Sequence, residues 1–404
     1  MIAPIGNNTI NNQQLVNQLR RFASFSELRR SEFYREHENE IRALLDKPRL
    51  YEVPGVQPRL RSFLRVVEWN IERGTRLDGI IEALNTHNVL RFADLLLLNE
   101  LDDGMNRSRN LNVALELSRA LEADAIFGVE YLELTKGTGD EALLPGENTI
   151  ALHGNAILTR HSYSQPQVIR LPRCENNFQS KERRLGGRIG ILLDLKIGDT
   201  RLVVGNTHLD VVNTPRCRAA QMRAMLGAVD ARSQDSDQRV AIVGGDLNTH
   251  TFARGNRLRA MKNTATILGS SPDRLRRRLS HPETREPAIV EFGRFNYETE
   301  DFNDRRATSR SIVSSLDDPA RLPGPMKWWV NRRIPREGLL LEFRLDWLAV
   351  RGLKALRAGE VIDAQTGVAS IAAQTFQGLT QNGVALSDHD PIVVDLALKP
   401  ELPL

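Results

Sequence analysis

Hydrophobic and polar positions along the chain follow two rhythms. Between residues 15 and 45 the apolar residues recur at helical spacing: Leu15, Leu19 and Phe22, then Leu28 and Phe33, then Ile41, Leu44 and Leu45. The stretch is charged and has no internal Gly or Pro, which predicts one or two amphipathic helices packed on whatever follows. Pro48, Pro54 and Pro58 mark a linker. From Leu64 the rhythm changes to short apolar runs closed by polar clusters. These are LRVVEWN (64–70), DLLLLNE (94–100), GNAILTR (154–160), RIGILLDLKI (188–197), RLVVGNTHLD (201–210), RVAIVGGDLN (239–248), FRLDWLAV (343–350) and HDPIVVDLAL (389–398). Each predicts a strand. Helical patterns lie between them at 77–90, 112–121 and 216–231, while Gly128 and the stretch 136–146 look like loop. Strands interleaved with helices predict α/β layers. Residues 251–338, rich in Arg, Asp and Pro, break the pattern and look like a long insertion. The organisation that follows is an N-terminal helical extension over 1–60 and a main domain over 61–400 carrying that insertion.

Composition changes this picture little. The 404 residues are 41% hydrophobic and 26% charged, with a formal net charge of +4, ordinary for a globular protein. Only the placement of charge could point to a polyanion, and two basic clusters stand out, DRLRRRLSH (273–281) and MKWWVNRRIPR (326–336). Cys174 and Cys217 are too few for a disulfide framework or a multi-thiolate zinc site. They are read as two inert thiols, compatible with a reducing compartment. The start MIAPIGNNTINNQQ has neither a basic region nor an apolar core, so no secretory signal is expected. No apolar run approaches the roughly 20 residues of a bilayer span. A cytoplasmic protein without a transmembrane segment is the expectation.

The chemistry lies in the polar residues at the ends of the apolar runs. Runs end in Asn70, Glu100, His208, Asp246 with Asn248, and Asp346, and Ser387-Asp388-His389 opens the last one. Strand ends on one edge can converge on one cleft, and buried carboxylates need a cation to neutralise them. The oxygen-rich set Asn70, Glu100, Asp246, Asn248 and Asp388 suits Mg²⁺ or Mn²⁺ better than Zn²⁺. His208 and His389 add acid/base capacity near neutral pH.

The segments EWNIERG, LLLNELD, GNAILTR, NTHLD, GGDLN, RLDW and SDHDP, in that order over about 64–398, resemble the endonuclease/exonuclease/phosphatase superfamily. The resemblance implies a four-layer αββα sandwich, with two mixed β-sheets packed face to face and helices outside. It also implies divalent-metal hydrolysis of a phosphate ester. Carried over by position, Asn70 and Glu100 look like the metal-side pair and Asp388 like a second metal-side carboxylate. Asp246 would orient or deprotonate the attacking water, and Asn248 would hold that water or a phosphate oxygen. His389 would contact the phosphate as acid/base with its tautomer fixed by Asp346, and His208 would face the phosphate from the other side. His153 and His250 are read as structural, and Asp102 and Asp210 as supporting or capping groups. Arg73, Arg160, Arg184, Arg188 and Arg218 are candidates for a phosphate clamp.

The substrate is less legible. A nuclease reading rests on the two Arg clusters with Trp328 and Trp329 beside the second. A lipid or inositol headgroup hydrolase would instead use Trp328, Trp329 and Phe343 at a membrane interface. A non-enzymatic binding module conflicts with the complete acid, amide and histidine set. Nucleic acid is the expected partner, with a headgroup as the alternative.

Overall fold

The computed structural model describes residues 11–174, 176–233, 240–254, 257–312, 324–325, 328 and 340–398. The chain opens with helices α1 (Asn12–Leu19), α2 (Phe25–Arg30) and α3 (Glu32–Asp46). Three helices form where one or two were expected, because serines interrupt them. Ser24 and Ser31 take extended backbone, and their side chains accept from the Glu27 and Tyr34 amides at 3.1 Å, each capping a new helix. The expected linker also contains a strand, β1 (Arg49–Tyr51), held between Pro48 and Pro54.

Strand β2 (Phe63–Arg73) leads to α4 (Leu77–Thr86), and β3 (Leu95–Asp103) to α5 (Val113–Leu121). Strands β4 (Asp124–Glu133), β5 (Leu152–Thr159), β6 (Tyr163–Arg170) and β7 (Arg184–Gly186) follow, then β8 (Ile189–Ile197) and β9 (Thr200–Thr207). Helix α6 (Pro215–Ser233) precedes β10 (Ala241–Asp246). The insertion holds α7 (Arg257–Leu268), α8 (Pro272–Ser280), α9 (Pro287–Arg294) and β11 (Ser309–Ile312), which pairs with β12 (Leu340–Phe343). The end of the chain supplies β13 (Asp346–Arg351), β14 (Gln374–Thr375), a hairpin of β15 (Thr380–Gln381) and β16 (Val384–Ala385), and β17 (Ile392–Ala397).

Two sheets carry the architecture. One runs β1-β4-β5-β3-β2-β17-β14 with β7 against β4, and the other runs β13-β10-β9-β8-β6. Both are mixed: β2 is parallel to β3 and β9 to β10, and the other pairs are antiparallel. The expected four layers are present, with apolar clusters between them. Leu64, Val66, Leu95, Leu97, Ile191, Leu193, Val204 and Ile242 meet between the sheets. Val67, Trp69, Leu96 and Leu98 face the other way, toward the N-terminal helices, α4 and α5. Val203, Val243 and Ala349 face α6 and α9.

Gly128 is not in a loop as expected but inside β4, where a Cβ would lie 2.7 Å from Ile189 Cδ1. On β5, a Cβ on Gly154, which pairs with Val129, would lie 1.9 Å from the Gly128 carbonyl, so no side chain fits at that position. The two cysteines, expected to be separate thiols, are joined as Cys174–Cys217, tying the segment after β6 to the first turn of α6. No described helix is long and apolar enough to cross a membrane.

Candidate active site

Strand parity builds the site. Side chains alternate faces along a strand. The parity that sends Leu64 and Val66 of β2 between the sheets also sends Glu68 and Asn70 there. On β3 it does the same for Leu95, Leu97 and Asn99, on β9 for Leu202, Val204 and Asn206, and on β10 for Ile242 and Asp246. In β13 it places Asp346 on the face of Leu348 and Val350. Asp346 opens β13 rather than ending a strand, and antiparallel pairing sets it opposite Asp246, the last residue of β10. The sheet–sheet interface is therefore hydrocarbon over most of its height and polar at one end.

Asp246 is the hub. Its backbone N–H donates to Asn99 Oδ1 at 2.7 Å, and the Asn248 N–H donates to its Oδ1 at 2.9 Å. Asn248 takes a left-handed φ of 49° to make that turn, and its amide donates to Leu209 O at 2.9 Å. Asp246 Oδ2 accepts from Asn70 Nδ2 at 3.1 Å and lies 3.4 Å from His208 Nε2 and 3.8 Å from His389 Nε2. His389 turns its other nitrogen, Nδ1, to Asp346 Oδ2 at 2.7 Å. The backbone of His389 is pinned as well: its carbonyl accepts from Trp69 Nε1 at 2.9 Å and its N–H donates to Ser387 Oγ at 3.1 Å. Ser387 in turn donates to the Asn70 carbonyl at 2.7 Å.

The two histidines are driven in opposite directions. Burial, reinforced by Arg188, pushes His208 well below the ordinary imidazole value. His389 pays the same burial cost, but Asp346, Asp246 and Asp388 outweigh it and hold the ring well above that value. Burial and then the Asp346 charge push Asp246 up to about 7. Glu68, fully buried, is raised well above the carboxylate range by burial and then by Asp346 and Asp246.

Glu100 and Asp388 lie nearer the surface. Glu100 sits within β3, not at its end, at an irregularity between Leu98 and Leu101 where its φ of 55° reaches the left-handed region. Its N–H donates to Asn155 Oδ1 at 3.2 Å, and its carboxylate lies 3.9 Å from Arg73 Nε. Burial opposes its charge, yet Arg73, His208 and His153 hold it well below the carboxylate range. Asp388 is exposed, and its charge acts on both Glu72 and His389. The donor set fits a hard divalent ion: carboxylates and amides without a thiolate. Asp346 Oδ1 and both Glu68 oxygens are buried without a hydrogen-bond partner, so negative charge here is under-compensated by protein alone. Asp246, Asp346 and His389 bring ligand atoms within 4.8 Å of one another.

Of the residues expected from sequence, Asn70, His208, Asp246, Asn248, Asp346 and His389 meet directly, and Glu100 and Asp388 lie within electrostatic reach. All five candidate clamp arginines have structural partners. Arg160 donates to the Ala93 and Leu121 carbonyls, and Arg184 pairs with Glu133 and Glu182. Arg188 pairs with Glu130 and Asp210, and Arg218 with Glu286. Arg73 pairs with Glu141 beside Glu100. His153 bonds Asp102 at 2.8 Å and His250 bonds the Val211 carbonyl at 2.9 Å. The sequence reading missed Glu68, Asn99 and Asn206. They are polar residues within otherwise apolar strands, and that they point inward is seen only once the opposing sheet is in place. The Arg cluster at 273–279 presents exposed Arg274, Arg276 and Arg277 around buried Leu275 and Leu279. Trp329 and residues 329–336 of the second cluster lie outside the described residues.

The family model described as Endonuclease/Exonuclease/phosphatase family matches residues 67–389. No curated protein matches the chain. Among solved structures, an endonuclease/exonuclease/phosphatase from Beutenbergia cavernae is similar at 16% identity and a TM-score of 0.44, covering 84% of this chain and 72% of that one. The human Nocturnin catalytic domain with bound sulfate is similar at 16% identity and a TM-score of 0.44, covering 84% and 98%. TDP2 of D. rerio, complexed with a single-strand DNA product, is similar at 14% identity and a TM-score of 0.42, covering 83% and 99%.

Proposed function

The chain belongs to the endonuclease/exonuclease/phosphatase family, whose members hydrolyse phosphoester bonds, and from that premise we propose that it is a Mg²⁺- or Mn²⁺-dependent phosphodiesterase acting on nucleic acid. One observation carries the reading: a buried carboxylate, Asp246, between two imidazoles with opposite protonation tendencies.

Phosphodiester hydrolysis needs an activated water, neutralisation of the non-bridging oxygens and a proton for the leaving oxygen. Asp246, raised to about 7, is matched to accept a proton from water near neutral pH. His389, kept cationic by Asp346, offers its Nε2–H to a phosphate oxygen or to the leaving group. Asp346 fixes that orientation through Nδ1. His208, kept neutral, donates a hydrogen bond without adding charge. Asn248 locks the Asp246 carboxylate through its backbone and retains a second amide hydrogen for the water or a phosphate oxygen. Asn70, Glu100 and Asp388 would hold the divalent ion, which when bound stabilises charge on the phosphate.

The headgroup alternative is weaker. Phe343 is 3% exposed, packed with Phe252, Leu275 and Leu341, so it does not reach a membrane. The deciding measurement is turnover of plasmid DNA, single-stranded DNA, RNA, sphingomyelin and bis-p-nitrophenyl phosphate, each with Mg²⁺, Mn²⁺ or EDTA. Hydrolysis of a nucleic acid that stops in EDTA and returns with Mg²⁺ is expected. Turnover that survives EDTA overturns the metal assignment, and hydrolysis of sphingomyelin alone overturns the substrate.

A further inference from the structure

The N-terminal helices do more than cover a sheet. Helix α2 and the segment after β6 form the walls of an open-sided cleft of about 670 Å³, lined by Phe25, Arg29, Arg30, Arg173, Cys174 and Asn176 among others. Arg29, Arg30 and Arg173 are exposed, and among the described residues none of them is ion-paired, although Arg173 donates to the Gly186 carbonyl at 3.4 Å. The positive end of α3 does not explain this, and the negative end of α2 accounts only for Arg29 and Arg30 in its last turn. Arg173 faces them from the opposite wall, where nothing helical favours a cation.

Phe25 makes the cleft more than a charged surface. Its ring is anchored by Tyr34 and Phe178, with centroids 6.4 and 6.2 Å away, and the Arg173 guanidinium lies 4.7 Å from its centroid. A flat guanidinium layered on a fixed aromatic ring is a surface on which a nucleobase stacks, and the other two arginines can take phosphates.

The cleft wall is also braced against the segment that follows His208. Gln221 Nε2 donates to the Pro172 carbonyl at 3.0 Å and to Asp210 Oδ2 at 2.9 Å, and Asp210 N–H donates back to Gln221 Oε1 at 3.0 Å. Asp210 is two residues from His208, a span of at most about 7 Å. The Cys174–Cys217 bond fastens the same wall to α6.

We propose that this cleft binds the single-stranded flank of a nucleic-acid substrate, with Arg29 and Arg30 on phosphates and the Phe25–Arg173 layer under a base. The proposal deepens the nuclease reading and rests on it for the identity of the ligand. The test is fluorescence anisotropy of labelled dT12 and rU12 in EDTA, with wild type and R29E/R30E/R173E. The variant should bind at least ~10-fold more weakly, and its plot of log K against log salt should be shallower by about 1.4, for two lost phosphate contacts. Turnover of bis-p-nitrophenyl phosphate with Mg²⁺ should not change, since none of the three residues touches the reacting atoms. Photocrosslinking of 4-thiouridine-substituted rU12 to the wild type, mapped to Phe25, Arg173, Cys174 or Asn176, gives a second readout that needs no variant. Equal binding by wild type and variant, or crosslinks confined to other surfaces, overturns the cleft while leaving nuclease turnover standing. Binding through the cleft without nucleic-acid cleavage by the wild type does the reverse. Loss of binding to phosphatidylserine vesicles with unchanged oligonucleotide binding assigns the cleft to a membrane and overturns the proposal.

Discussion

Asp246 concentrates the behaviour of single residues. Asp246→Asn keeps the shape and the Asn70 contact but removes the proton acceptor, so turnover with Mg²⁺ should fall about 10²- to 10⁴-fold. Unchanged circular dichroism would separate that loss from unfolding, and a rate within twofold of wild type would remove Asp246 from the chemistry. Its titration also affects stability. Burial and then Asp346 raise its folded value to about 7, above an unfolded value of about 3.9. The protonated form therefore favours the fold; this contribution is full below about pH 4 and is lost as pH rises through about 7. In EDTA, urea unfolding of wild type and D246N should show the variant gaining relative stability between pH 4 and 8. Parallel curves would mean that Asp246 is ordinary. At this scale much was legible, because Asn70, His208, Asp246, Asn248, Asp346 and His389 sit in recognisable segments. Glu68 and Asn99 were not, since a polar residue inside an apolar strand acquires meaning only when the opposing sheet is in place.

At the scale of elements, two features hold these residues in line. Gly245 has a φ of 138°, and a Cβ there would lie 1.8 Å from the Thr207 carbonyl. Gly245→Ala should destabilise the protein by about 1–3 kcal/mol through backbone strain, measured by urea unfolding, and should move Asp246 off its partners. Stability and turnover equal to wild type would show that β9 and β10 yield easily. The second feature is the Cys174–Cys217 bond, which closes a loop with a sequence separation of 43. C174S/C217S should lower stability by about 4 kcal/mol on the chain-entropy account, and dithiothreitol should reproduce the effect in the wild type. No shift with either would show that the tether contributes nothing. Short apolar runs closed by polar clusters revealed most strands of both sheets. They did not reveal β4 or β6, whose sequences DAIFGVEYLE and YSQPQVIR are interrupted by glycine or by proline and polar residues. The disulfide was hidden for another reason: 42 intervening residues say nothing about whether two side chains meet.

Across the whole molecule, the N-terminal helices and the main sheet share one core. Leu15, Val16, Leu19, Leu28, Ile41 and Leu45 are buried in the same cluster as Trp69, Leu98 and Phe127. Deleting residues 1–46 would uncover that surface, at a cost on the order of 10 kcal/mol as an upper bound from apolar burial. The truncated chain should be insoluble or unfold at much lower urea. A soluble truncation with wild-type stability would show that the helices are dispensable. The layer order followed from the family resemblance that the segments carry, but the junction of extension and domain did not, because a helical face names no partner until one is found.

The order of strands has one more consequence. β2 pairs with β17 through Arg65–Asp395 and the ladder from Phe63–Ala397 to Glu68–Ile392. Asn70 thus waits for His389, which the ribosome delivers 319 residues later. A chain that stops short of residue 389 lacks the imidazole that lies 3.8 Å from Asp246, so on the proposed reading such a fragment should show no turnover even where β2, β3 and β10 are all present.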